Sequence, residues 1–367
     1  MRLFLNDLRR ESAFIKSKTL PAMKKVVEKC NFILGRELGE FEKKFLKYCG
    51  TKYAVGVANG TAALFLALKS LRIGAGDEVI TADVSFTATI EAIIHAGSRP
   101  VLADVSHNNL LIDADLIEQK ITAKTKAILP VHLYGYPADL SKIKKLCDKY
   151  NLFLINDCAQ AHGSMFEGKP IATFGDVSCF SFMPAKNLGA YGDAGCIVTN
   201  NQRIAQKVRM LRDHGRKEKY RHVSVGYAER MDTLQAAVLN QKLSFLDAWN
   251  ERRRAIARQY DFGFRGNSRI HIYQPLDNST PAYHLYVIGI RNRDYLKMML
   301  SKHNIDTGIH YPIPLHLQPA FKYLGYERGD FPIAELHSKK ILSIPMHPFL
   351  RNSEVKKIIT LINKYAG

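Results

Sequence analysis

The chain has 367 residues, 46% of them hydrophobic and 24% charged, a balance that allows a large buried core and excludes a disordered composition. Lysine and arginine number 53 against 34 acidic residues, a formal net charge of +19; with no helix-turn-helix, zinc-finger or RNA-recognition signature beside it, this charge suits anionic small molecules rather than nucleic acid. No apolar run reaches about 18 residues and residues 1–14 lack the apolar core of a secretory signal, so a cytoplasmic protein without membrane contact is expected.

Residues 1–35 read as an N-terminal arm followed by a connecting helix. Over 37–50, Leu38, Phe41 and Phe45 share one helical stripe that stops at Gly50. Short apolar strands then alternate with helices. Strand 53–57 precedes helix 60–73, strand 77–81 precedes helix 86–97, and strand 99–105 precedes helix 113–122. Strand 126–131 precedes helix 139–150, and strands 152–157, 176–182 and 195–200 complete the series. Such alternation predicts a mostly parallel sheet with helices on both faces. Ligands of such sheets bind outside the carboxyl ends of the strands. A long helical run over 230–264 ends the pattern. A strand at 282–290 and helices at 293–304 and 353–366 then form a smaller α+β unit. The expected division is an arm 1–35, a large α/β domain 36–250 and a small α+β domain 251–367.

The chemistry-bearing residues gather at predicted strand ends. "VANGTAAL" (57–64) places Gly60 and Thr61 where a strand turns into a helix. Free N–H groups and the positive helix end favour a phosphate there, although an ordinary capped turn has the same pattern. Asp157, in "FLINDCAQAHGS" (153–164), directly follows an apolar run, where a carboxylate is unfavourable unless paired. It is either a capping group or the partner of a protonated ring nitrogen, which would make that ring an electron sink. Gln160 and His162 follow on the same rim. Lys186, in "SFMPAKNLGAYGDAG" (181–195), ends the next apolar strand. An amine held there can form a Schiff base with a carbonyl. Each residue alone has a structural explanation. Together, a phosphate cradle, a ring-nitrogen partner and an imine lysine occur in one chain.

Further candidates flank these. Ser181 and Asn187 neighbour the lysine. Phe86 can stack on a flat cofactor or pack in the core. "GIHYPIPLHLQ" (308–318) offers His310, Tyr311 and His316 as a substrate wall or as a structural loop. Six cysteines without CxxC spacing and 13 histidines without HExxH predict free thiols and no metal site.

These motifs, with "HLYGYPADL", "RMDTLQAAVL" and "HYPIPLHLQPAF", span about residues 35–350. They resemble the DegT/DnrJ/StrS-type family of pyridoxal-phosphate sugar aminotransferases. The resemblance implies the aspartate-aminotransferase-like fold (fold type I) and a homodimer. It implies Lys186 as the lysine bonded to pyridoxal 5'-phosphate, Asp157 at the pyridine nitrogen and Gln160 beside the ring hydroxyl. It implies Phe86 stacked on the ring, and Gly60, Thr61 and Ser181 at the phosphate. His310, Tyr311, His316 and Asn187 are the expected substrate contacts. The implied reaction is transamination of a nucleotide-linked keto sugar with L-glutamate, as in amino-sugar and polysaccharide biosynthesis. "KNLGAYGDAG" (186–195) resembles members acting on 3-keto sugars, so a dTDP-linked 3-keto-6-deoxyhexose is the expected substrate. A UDP-linked 3-keto sugar, a dTDP-linked 4-keto sugar and a non-catalytic regulatory role are the alternatives. Three positions depart from the family pattern, one of them Ala194, which stands where a Gly is usual in "GDAG". Ala228 stands where an Asn usually reaches the neighbouring subunit's cofactor, and Met183 stands where a Tyr is frequent.

Overall fold

Short apolar stretches that water would not tolerate exposed assemble into one sheet. In the computed structural model, which describes residues 2–366, this sheet has seven strands. They are β1 (Tyr53–Val57), β2 (Glu78–Ala82), β3 (Arg99–Ala103), β4 (Thr125–Leu129), β5 (Phe153–Asp157), β6 (Val177–Ser181) and β7 (Gly195–Thr199). Their order is β1-β7-β6-β5-β4-β2-β3. Pairings from β6 across to β3 are parallel, and β7 runs antiparallel to both β1 and β6. Parallel neighbours need a crossover. Helices Thr87–His95 and Leu140–Tyr150 supply two of them, and Gly60–Ser70 carries the chain from β1 across to β2. The carboxyl ends of β2, β5 and β6 therefore open on one side of the sheet.

The crossover between β3 and β4 differs from expectation. Residues 113–122 form two 3-10 turns, Ala114–Leu116 and Glu118–Lys120, instead of one α-helix. Only Ala114 and Ile117 are buried in this stretch. That i,i+3 spacing is the period of a 3-10 turn, in which the two side chains eclipse. The helical run 230–264 is also divided, into Thr233–Lys242, a 3-10 turn Leu243–Phe245, and Leu246–Phe264. The N-terminal stretch is dominated by one helix, Leu8–Lys29, whose cap Asp7 accepts from the Arg10 N–H.

A second, antiparallel sheet joins β8 (Ile270–Ile272), β9 (Tyr286–Ile290) and β10 (Ile341–Ile344). One continuous apolar core runs through both sheets. The six cysteines are free. Among the described residues no helix is long and apolar enough to cross a membrane, and no His, Cys, Asp and Glu cluster suits a metal ion.

Candidate active site

A cavity of about 920 Å³ opens at the carboxyl ends of the strands. Gly60, Thr61, Phe86, Asp157, Gln160, Ser181, Lys186, His310 and Tyr311 all line it. Residues up to 251 positions apart in sequence, Gly60 and Tyr311, thus share one wall system because their strands and loops end on the same side.

The anion cradle is set by a close approach. Asn59 caps the Gly60–Ser70 helix, its Oδ1 accepting the Ala62 N–H at 2.8 Å. The other first-turn N–H groups have no intrahelical partner. A Cβ on Gly60 would stand 2.6 Å from the Ser181 Cβ. Only glycine lets this helix end lie against β6, where free N–H groups and the positive helix end favour a phosphate.

Asp157 is 5% exposed. It accepts from the Thr89 hydroxyl at 2.9 Å and the Ala159 N–H at 3.1 Å. No basic side chain among the described residues forms an ion pair with it. Burial raises its pKa, opposed by the Ala159 and Thr89 hydrogen bonds and by the charge of Lys186. Burial also pushes the Lys186 amine down to about 8, with Asp157 pulling the other way. The two groups thus sense each other without closing an ion pair.

The loop that presents Lys186 is pinned along its length. Phe182 N–H donates to Ala194 O, and Ala190 N–H to Phe182 O, both at 2.7 Å. Asn6 reaches Ala185 O at 2.6 Å. The buried Lys242 ammonium donates to Gly189 O at 2.7 Å and pairs with Glu11 at 2.5 Å. A Cβ on Gly189 would lie 2.2 Å from Pro184 O, so the loop doubles back only with glycine there. Lys186 is consequently delivered to the cavity by backbone geometry rather than by chance of rotamer.

The opposite wall is equally fixed. Gln160 Oε1 accepts the Tyr134 N–H at 2.7 Å, and its amide donates to the Tyr311 hydroxyl at 3.4 Å. The Tyr134 hydroxyl donates to His310 O at 2.5 Å. Phe86 is 56% exposed, with its ring centroid 6.0 Å from that of Tyr311. It stands at the cavity rather than in the core. His310 Nδ1 lies 2.8 Å from Ser343 Oγ, and burial, then Lys186, lowers its pKa to about 4.

Two expected contacts are not brought to the cavity. His316 is sealed between Asp83, at 2.7 Å from Nδ1, and Glu335, at 3.3 Å from Nε2. The 3-10 turn Leu315–Leu317 directs it inward, where Asp83 also accepts its backbone N–H. Burial opposes its protonation, but Asp83 and Glu335 together raise its pKa. Burial raises Asp83 as well, against the pull of His316. Asn187 is buried behind the lysine, bonded to Asn250, Ala282 and His284. Sequence reasoning missed Thr89, His284 and Glu229 on the cavity wall. Thr89 lies one helical turn from Phe86, so the 3.6 period carried a signal for it. His284 and Glu229 had none, since only the fold brings them there.

An amine of lowered pKa, a buried carboxylate lacking a cation and an anion cradle surround one cavity. They suit a ligand that carries a carbonyl, a ring cation and a phosphate. A family model described as the DegT/DnrJ/EryC1/StrS aminotransferase family matches residues 14–363. The chain is 42% identical over 359 residues to a dTDP-3-amino-3,6-dideoxy-alpha-D-galactopyranose transaminase of Aneurinibacillus thermoaerophilus, covering 98% of each. It matches the crystal structure of S. venezuelae DesV in complex with a ketimine intermediate with a TM-score of 0.98 at 38% identity, over 100% of this chain and 98% of that one. It also matches ntda from Bacillus subtilis with bound cofactor PMP, at a TM-score of 0.89 and 29% identity, over 95% and 81% of the two chains.

Proposed function

The chain belongs to the DegT/DnrJ/EryC1/StrS aminotransferase family, and on that premise we propose that it transfers an amino group from L-glutamate to C-3 of a dTDP-linked 3-keto-6-deoxyhexose, with pyridoxal phosphate as cofactor. The observation that carries this reading is the meeting of Lys186, Asp157 and the Gly60–Thr61 helix end around one cavity. The sugar is supported by the relative that forms a 3-amino-3,6-dideoxy product.

The residues fit the cofactor. Asp157 is a buried carboxylate without a cationic partner, which is what a protonated pyridine nitrogen would provide. Gly60, Thr61 and Ser181 would hold the phosphate, Gln160 the ring hydroxyl and Phe86 the ring face. When bound, pyridoxal phosphate supplies an aldehyde for Schiff-base formation and a ring that takes up the electron pair of the breaking C–H bond.

The chain's own groups prepare that chemistry. With its pKa near 8, Lys186 is free base roughly 300-fold more often at neutral pH than an ordinary lysine. Its Nζ can attack a carbonyl, and later take a proton from the substrate carbon and return it. Asp157 keeps the ring nitrogen charged. Phe86 and Tyr311 stand together beside the reacting groups and limit water there.

The protein acts as a homodimer. Support comes from Phe32, Ile33 and Leu34, exposed in succession between the first two helices, an apolar patch suited to a second copy. Light scattering should return twice the 41.5 kDa chain mass; a monomer at working concentration would remove this part of the reading.

The deciding experiment gives the protein L-glutamate and either the 3-keto or the 4-keto dTDP-6-deoxyhexose, with mass spectrometry of the product. Nitrogen should enter only the 3-keto compound. Amination of the 4-keto compound alone would overturn the regiochemistry and leave the aminotransferase; amination of neither would overturn the substrate class.

A further inference from the structure

His284 lies just before β9, half-buried, with one edge on the cavity that holds Lys186. Its other edge meets Asn187, Nδ1 standing 3.2 Å from Oδ1. Which atom carries the hydrogen follows from groups that have no choice. A backbone carbonyl only accepts. His162 O therefore receives an N–H from Asn250 Nδ2 at 2.7 Å, which orients that amide. Asn250 Oδ1 then accepts from Asn187 Nδ2 at 2.9 Å, and so does Ala282 O at 2.9 Å. Both N–H groups of the Asn187 amide are engaged, so its Oδ1 is the acceptor toward His284. The hydrogen sits on His284 Nδ1, and the neutral ring presents a lone pair at Nε2. No described residue donates to that nitrogen.

The ring is held in place and held neutral. Arg253, buried beneath the same turn, donates to Tyr283 O at 3.2 Å, His284 O at 3.3 Å and Met346 O at 2.6 Å. Burial drives the His284 pKa well below its usual value, and the charges of Lys186 and Arg253 add to that. The same positive field disfavours an ammonium group arriving at Nε2. A bare lone pair also repels carbonyl and carboxylate oxygens, which have no hydrogen to offer. Among the groups of a keto-sugar ring, the donor that fits is a neutral hydroxyl.

We propose that His284 Nε2 recognises one hydroxyl of the sugar that carries the reacting carbonyl, accepting its O–H while Asn187 locks the opposite nitrogen as a donor. The inference rests on the keto-sugar reading above and adds a specificity-determining residue to it. Two histidines of the cavity wall then differ in role: His310 is tied to Ser343, and His284 faces ligand with an acceptor alone.

Calorimetry on protein loaded with pyridoxamine phosphate, which does not react with an aminated product, tests this. The titrants are the dTDP-3-amino-6-deoxyhexose and analogues each lacking one ring hydroxyl. His284→Phe should bind the full sugar about 3- to 10-fold more weakly, the loss of one neutral hydrogen bond. His284→Gln, which keeps an acceptor, should recover part of the loss. One deoxy analogue should bind wild type and His284→Phe alike. Unchanged affinity in His284→Phe, or an equal loss for every analogue, overturns the proposal and leaves the substrate reading standing. Failure of the wild type to bind any nucleotide sugar overturns both. The nitrogen-15 spectrum of histidine-labelled wild type gives a second check that needs no substrate. The ring whose signals vanish in His284→Phe or His284→Gln must be protonated at Nδ1, and the opposite tautomer sinks the idea.

Discussion

Asp83 and Asp157 stand at comparable places in the same sheet, one immediately after β2 and the other at the end of β5, and both are buried. Their surroundings differ in one respect. Asp83 has its partner inside the chain: His316 meets it through the ring and through the backbone N–H. Among the described residues Asp157 has only a hydroxyl and one N–H, and it faces a cavity. A buried carboxylate needs a compensating charge. Where the chain supplies that charge the carboxylate is scaffold; where it does not, the charge is left for a ligand to bring. The two are linked, since Ser85, two residues past Asp83, bonds Thr89, which bonds Asp157. The loop held by His316 also carries His310 and Tyr311 to the cavity wall. The saturated centre therefore builds the walls of the unsaturated one.

The comparison can be broken most severely at its reacting amine. Lys186→Ala should lower transamination by more than about 10⁴-fold, because the proposed mechanism uses this one group as nucleophile and as proton carrier. Its thermal unfolding should match or exceed that of wild type, since a desolvated amine has been removed. Turnover within tenfold of wild type would dismiss the assignment.

Asp83→Asn attacks the scaffold side. Breaking a buried pair commonly costs about 3–5 kcal/mol of stability, so urea unfolding should shift far down while the folded fraction still takes up cofactor. A variant as stable as wild type would show that Asp83 and His316 do not form a working clamp.

Asp157→Asn should give the mirror image. A pairing worth about 1–3 pKa units at the ring nitrogen translates to roughly 10- to 1000-fold in activity, with weaker cofactor retention. Stability without cofactor should hold or rise, because an uncompensated charge is gone. Equal destabilisation in the two variants would erase the distinction drawn between the carboxylates.

The smallest effect is a shift of pH profile. Cofactor capture needs the free base, so its rate in the apo-protein should climb with pH and reach half-maximum near about 8, the position burial gives Lys186. Asp157 holds that value up. In Asp157→Asn the midpoint should therefore move lower. A stopped-flow profile still rising steeply at pH 10 in wild type would mean that the amine is ordinary.

Much of this molecule is legible in its sequence. The β strands, most of the crossover helices and the Lys186–Asp157–Gly60 set follow from apolar periodicity and from motifs at strand ends, both of which act within a few residues of chain. The 113–122 helix failed because two anchors three residues apart favour the tighter 3-10 period, a local fact that the apolar count alone concealed. His316 is expected on the substrate wall because it shares a Pro-rich loop with His310 and Tyr311. It turns inward because Asp83, 233 residues away, accepts from it. His284 gave no sign at all, since its tautomer is decided by Asn187, 97 residues distant, through an amide chain that ends on two backbone carbonyls. The sequence by itself determined the parallel-sheet class and singled out Lys186 as the candidate reacting lysine, because strand patterning and strand-end chemistry are encoded locally. Only the tertiary structure decided which buried carboxylate is paired and which ring nitrogen is bare, because a buried group's charge and protonation depend on every neighbour that replaces its water.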